Sequence, residues 1–96
     1  MNVMLKRTCV LILMCCALVA CTPKLHRIKM CESGGNYHAV SPSGKYRGAY
    51  QFDARTWRGV GGKGDPAAAS PAEQDYRAWK LYQQRGSAPW PVCGKK

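Results

Sequence analysis

CESGGNY, residues 31–37, sets a cysteine, a glutamate and a glycine pair together at what reads as the end of a short helix. Leu25, Ile28 and Cys31 recur at i, i+3 and i+6, one apolar stripe, and Ser33-Gly34-Gly35 supplies the stop. Glu32 therefore falls in the last helical turn. The chain has only five Asp and Glu against fifteen Lys and Arg in 96 residues. A carboxyl group placed beside a cysteine in so basic a chain calls for a reason.

Working outward, the N-terminal side reads as a processing segment. Lys6 and Arg7 precede the apolar run CVLILMCCALVA, a basic region and a short hydrophobic core too short for a permanent span. Leu18-Val19-Ala20-Cys21 then matches a bacterial lipobox, in which Cys21 becomes the acylated first residue. Residues 1–20 are thus expected to be a lipoprotein signal peptide, and 21–24 a short tether to a domain over 25–94. An exported protein anchored to a membrane of the cell envelope follows. Thr22 after the cysteine favours the outer membrane where there are two.

A domain this small needs a staple. Cys9, Cys15 and Cys16 leave with the signal and Cys21 takes lipid, so Cys31 and Cys93 remain to pair in an oxidising compartment. Closing a loop of about 63 residues stabilises by roughly 4 kcal/mol in the chain-entropy view. Two cysteines with His26 and His38 lack zinc-finger spacing, and no metal or cofactor is expected. Basic charge suits a polyanion, and an exported chain meets wall polymers and anionic lipid. No phosphate loop, RNA-binding signature or helix-turn-helix spacing points to nucleic acid.

Toward the C-terminus, residues 36–45 read as loop and KYRGAYQF, residues 45–52, as a short irregular hairpin broken at Gly48. Residues 54–60 suit a short helix that stops at Gly61-Gly62. Ser70-Pro71-Ala72-Glu73 signals a capped helix start, followed by Ala72, Tyr76, Trp79 and Gln83 near helical spacing with Leu81 and Tyr82 beside them. Gly86 ends that helix, and PWPVC, residues 89–93, reads as a rigid strap tied to Cys31. The fold class is α+β, mostly helical, with one disulfide.

Glu32 can act as a general acid near neutral pH only if an apolar site raises its pKa. Lys29, Lys45 and Arg47 are close enough in sequence to oppose that. Gln51 lies among Tyr37, Tyr46, Tyr50, Trp57 and Trp90, rings of the kind that pack on sugar faces, though Trp57 and Trp79 also suit a core. Asp53 is either a second carboxylate or the cap of the helix after it.

CESGGNY, YRGAYQF, TWRGVGG and WPVC occur in this order and resemble the lysozyme-like domain of the resuscitation-promoting factors. ESGGN with SPSGKYRGAYQF also resembles the Glu-Ser opening and glutamine motif of soluble lytic transglycosylases. The resemblance covers residues 25–94 and implies a compact lysozyme-like fold acting on peptidoglycan glycan strands. It implies that Glu32 is the catalytic glutamate, Gln51 a substrate contact and Cys31–Cys93 the family disulfide. Tyr37, Tyr50 and Trp90 are expected beside Gln51 at the substrate. Tyr37 stands where the factors usually carry tryptophan, and Ala49-Tyr50 replaces a Gly-Leu pair. Two other functions compete, a non-catalytic peptidoglycan-binding lipoprotein and a small basic membrane-active protein. Neither needs a protonated Glu32.

The tether gives a first prediction. Cys21→Ser should abolish acylation and move the domain from the membrane fraction to the soluble one. A mature protein that begins at another residue and carries no lipid mass contradicts it.

Overall fold

The computed structural model describes residues 22–96, so the expected signal peptide and the acylation site at Cys21 lie outside the described residues. Helix α1 spans Pro23–Ser33. Pro23 at its start lacks only an N–H that would be unpaired anyway. Pro23 and Lys24, expected in the tether, thus form its first turn. Leu25 and Ile28 are buried as the stripe predicts, while Cys31, one turn on, stays exposed at the edge. Gly34 ends the helix at φ 67°, a left-handed conformation natural to glycine, with its N–H on the Met30 carbonyl at 2.9 Å.

The chain then folds back without forming an extended strand among the described residues. Single antiparallel bridges join Val40 to Arg47 and Arg47 to Phe52. Arg47 and Phe52 exchange both backbone hydrogen bonds at 2.9 Å, closing the turn that holds Gly48 to Gln51. The expected hairpin is therefore reduced to its two pairing points. Arg47 also makes a bidentate pair with Asp65, Nε to Oδ1 at 2.7 Å and Nη2 to Oδ2 at 2.9 Å. Asp65 caps the 3-10 turn Pro66–Ala68 through the Ala67 N–H. Between these lies α2, Ala54–Gly59, which buries Trp57.

Helix α3 spans Pro71–Arg85 and begins as its sequence predicts, with Ser70 Oγ accepting from the Glu73 N–H at 3.1 Å. Its buried face is different. Gln74, Asp75, Ala78 and Leu81 point inward, whereas Tyr76 is exposed and Trp79 only half-buried, stacked on Tyr76. Two of the four inward positions are polar, so a stripe traced through apolar residues lands on the wrong side.

Those polar residues are fully used. Gln74, wholly buried, donates to the carbonyls of Tyr37 (3.0 Å) and Ala69 (2.9 Å) and accepts from the Ala49 N–H (2.8 Å). Asp75 accepts from the hydroxyls of Tyr37 (2.9 Å) and Tyr50 (2.7 Å), with Lys29 Nζ 3.8 Å away. Buried polar groups are tolerated only when bonded in this way. Gly48 lies against this knot at φ 87°, and a Cβ there would come within 2.6 Å of Gln74 Oε1. No other residue type fits without displacing the amide.

The apolar core gathers Leu25 and Ile28 of α1, Tyr50 and Phe52 of the loop, Trp57 of α2 and Leu81 of α3. Trp90 seals it, donating from Nε1 to the Tyr50 carbonyl at 3.1 Å. Cys93 opens a last 3-10 turn, Cys93–Lys95, and bonds to Cys31 with 5.7 Å between the Cα atoms. The strap is thus held at two points, a ring in the core and a sulfur on α1.

Gln74→Ala leaves the buried Ala49 N–H and the part-buried carbonyls of Tyr37 and Ala69 without this partner. It should lower unfolding free energy by about 2–4 kcal/mol, measured by urea denaturation. A loss below about 1 kcal/mol means that the loop holds without the knot.

Candidate active site

A cleft of about 540 Å³ opens between the loop and the strap. The end of α1 contributes Glu32, and the loop contributes Tyr46 and residues 50–53. Thr56 comes from α2, Leu81 and Arg85 from α3, and residues 88–93 from the strap. Cys93 belongs to this lining, so the disulfide joins the turn carrying Glu32 directly to the opposite wall. Glu32, Gln51, Tyr50 and Trp90, expected at the substrate from sequence, meet here.

Burial raises the pKa of the half-buried Glu32 above the ordinary glutamate value, and no cation opposes it. The three cations that the sequence sets against it make other contacts. Lys29, three residues before Glu32, donates to the Tyr37 hydroxyl at 2.8 Å and faces Asp75. Arg47 is on Asp65. Lys45 lies over the Tyr46 ring, 5.4 Å from its centroid. The surface ion pair with Lys29 that the sequence would allow is not formed. The helix C-terminus, with its partial negative charge, pushes in the same direction as burial.

Asp53 lines the same cleft in the opposite condition. It caps α2, accepting from the Thr56 N–H at 2.7 Å, and that backbone bond holds its pKa below the usual aspartate value. One cleft thus contains a carboxyl group biased toward its protonated form and another biased toward its ionised form. Environments that separate two carboxyls in this way mark acid–base sites.

Gln51 is the one non-glycine residue with positive φ among the described residues, at 55°. Such backbone is uncommon outside Gly, Asn and Asp, and it persists here because the Arg47–Phe52 pairing closes the turn around it. Its Nε2 donates to the Gly48 carbonyl at 2.9 Å, which sets the side chain along the loop.

The rings divide differently from the expectation. Tyr50 and Trp90 are almost fully buried and form the floor, with Tyr50 anchored by its hydroxyl to Asp75. Tyr46, 40% exposed, is the open ring on the rim. Tyr37, expected at the substrate, lies outside the lining because Lys29 and Asp75 hold its hydroxyl in the buried knot. Trp57 is core, its ring buried against Phe52. Thr56 and Arg85 join the cleft without a signal in their local sequence. His, Cys, Asp and Glu nowhere gather in groups that could hold a metal among the described residues.

Comparison with known proteins identifies the family. A sequence model of the transglycosylase-like domain matches residues 19–93. The chain is 42% identical over 73 residues to resuscitation-promoting factor RpfC of Mycobacterium tuberculosis strain Erdman, which covers 76% of this chain and 51% of that one. It is 41% identical over 70 residues to resuscitation-promoting factor Rpf of Micrococcus luteus, covering 73% and 31%. It is 44% identical over 70 residues to "Probable transglycosylase SceD" of Staphylococcus aureus strain Newman, covering 69% and 30%. The matched region therefore spans about half or less of each of these relatives. With a lysozyme-like arrangement of short helices around one cleft and the Cys31–Cys93 bond in place, the chain belongs to the transglycosylase-like domain family.

Proposed function

We propose that this domain cleaves peptidoglycan glycan strands between N-acetylmuramic acid and N-acetylglucosamine, with Glu32 as its single acid–base group. One observation carries the reading. Glu32 presents a carboxyl group raised in pKa by burial, with no hydrogen bond or ion pair from the described residues, inside a cleft that also holds Gln51. A side chain left without partners in a folded cleft is free to serve a substrate. The family's name and the names of its relatives support the same chemistry.

In this scheme Glu32 donates its proton to the glycosidic oxygen as the bond to muramic-acid C1 breaks. Positive charge develops on the ring, and the glutamate is left ionised. It then takes the proton from the C6 hydroxyl of the same sugar, whose oxygen closes on C1. A 1,6-anhydro ring forms, Glu32 is protonated again, and no water is consumed. Gln51 positions the strand by hydrogen bonding, and Tyr46 offers a ring to a sugar face. Asp53 remains with the cap of α2. Its ionised state in the same cleft favours one second reading, hydrolysis with Asp53 stabilising the cation or activating water. Acylation at Cys21 would hold the domain in the envelope, close to its polymer.

Glu32→Gln should fold and lose about 10²–10⁴-fold or more of its release of soluble muropeptides from sacculi. Activity should fall as pH rises through the Glu32 pKa, and that limb should lie above the ordinary glutamate value. The sign for stability is the reverse of a salt bridge. A raised folded-state pKa means that the carboxyl's contribution is present below its unfolded pKa and lost as pH climbs through the folded one. Glu32→Gln should therefore keep or increase Tm at neutral pH. Asp53→Asn, which preserves the cap, should change activity little, and the products should be lighter by one water than reducing ends. Normal digestion by Glu32→Gln rejects the assignment. Reducing ends together with a damaging Asp53→Asn select the hydrolytic reading.

A further inference from the structure

Glu32, Asp53 and Arg85 are the charged side chains in the cleft lining. The other carboxylates each face a cation: Asp75 with Lys29, Asp65 with Arg47, Glu73 with Arg77. Arg85, in the last turn of α3, has an exposed side chain with no hydrogen bond, ion pair or ring contact among the described residues. It also exerts no opposing influence on Glu32, whose shift comes from burial alone. The guanidinium thus contributes positive charge to the substrate wall without depressing the acid.

A glycan backbone of hydroxyls and N-acetyl groups gives a guanidinium nothing to neutralise. The peptide substituents of the muramic acid residues do, because they carry free carboxylates. We infer that Arg85 is a specificity residue that binds a peptide-stem carboxylate of the strand, so that the cleft selects stem-bearing polymer. This rests on the proposed peptidoglycan substrate and adds to it which part of that polymer is read. A planar fork of N–H donors suits a carboxylate, and partial exposure limits the gain to a moderate one.

The test measures binding rather than turnover. Full-length Glu32→Gln is pelleted with sacculi treated with hydrofluoric acid, so that no phosphodiester polymer remains. One portion is left as it is, and in a second the carboxylates are converted to amides with carbodiimide and ammonia. A third consists of strands stripped by an amidase, which keep only the lactyl carboxylate. Amidation and stripping should each weaken binding by roughly three- to tenfold. Adding Arg85→Gln should bring the ratio of untreated to amidated affinity close to one, and Arg85→Lys should restore part of it. Arg58→Gln, which removes the same charge from outside the cleft, should leave the ratio as it was, excluding bulk charge. An amidation effect that survives Arg85→Gln, or binding retained in full on stripped strands, overturns the inference and leaves the proposed reaction intact. Stem-dependent binding with no cleavage by the unmutated chain overturns the reaction and leaves Arg85 its role. No binding to any of the three polymers overturns both.

Discussion

Two adjacent polar residues near the start of α3, Gln74 and Asp75, hold the irregular half of this domain in place. The segment from Tyr37 to Tyr50 has almost no regular secondary structure to position it. Its backbone is instead bonded at both ends to one amide, through the Tyr37 carbonyl and the Ala49 N–H. The hydroxyls of Tyr37 and Tyr50 converge on one carboxylate oxygen. Such a network is costly if any member is lost, because each orphaned group remains dry. That cost also gives the loop a single conformation. The turn holding Gln51 and the floor ring of Tyr50 are placed by it, and the cleft takes its shape from them.

The same knot also engages charge. Asp75 faces Lys29, and Asp65 pairs with Arg47. With five acids in the chain, three are used to hold cations and one to cap α2. Only Glu32 is left without an assigned partner among the described residues. Its pKa is raised by burial, and a cation placed beside it would favour the ionised form instead.

Much of this was legible in the sequence where a residue type has one dominant physical use. Gly34-Gly35 stop a helix, Ser70-Pro71 start one, and Cys31 and Cys93, the two cysteines expected to remain after processing, pair. Asp53 was ambiguous and takes the cap, while still facing the cleft. The inward face of α3 was misread because apolar periodicity cannot find a face built on glutamine and aspartate. Tyr37 went to the same knot, since an aromatic ring near a site carries no mark of where its hydroxyl is needed. The positive φ of Gln51 and the arrival of Arg85 at the cleft are set by tertiary closure and have no local signature. The misread face of α3 and the placement of Tyr37 both trace to long-range polar contacts, which spacing rules do not encode.

The placement of the disulfide completes the argument. A bond anywhere between α1 and the tail would restrict the unfolded chain to a similar degree, because that effect depends mainly on loop length. This one joins the residue before Glu32 to a residue of the facing wall. Trp90 meanwhile holds the strap to the loop through the Tyr50 carbonyl. The acid, the floor and the far wall are then joined through covalent and buried contacts around one cleft. A domain this small has little core to resist the opening of a cleft, and opening would hydrate Glu32 and return its pKa toward the ordinary value. The bridge thus stabilises the fold at the position where loosening would also undo the burial that raises the Glu32 pKa.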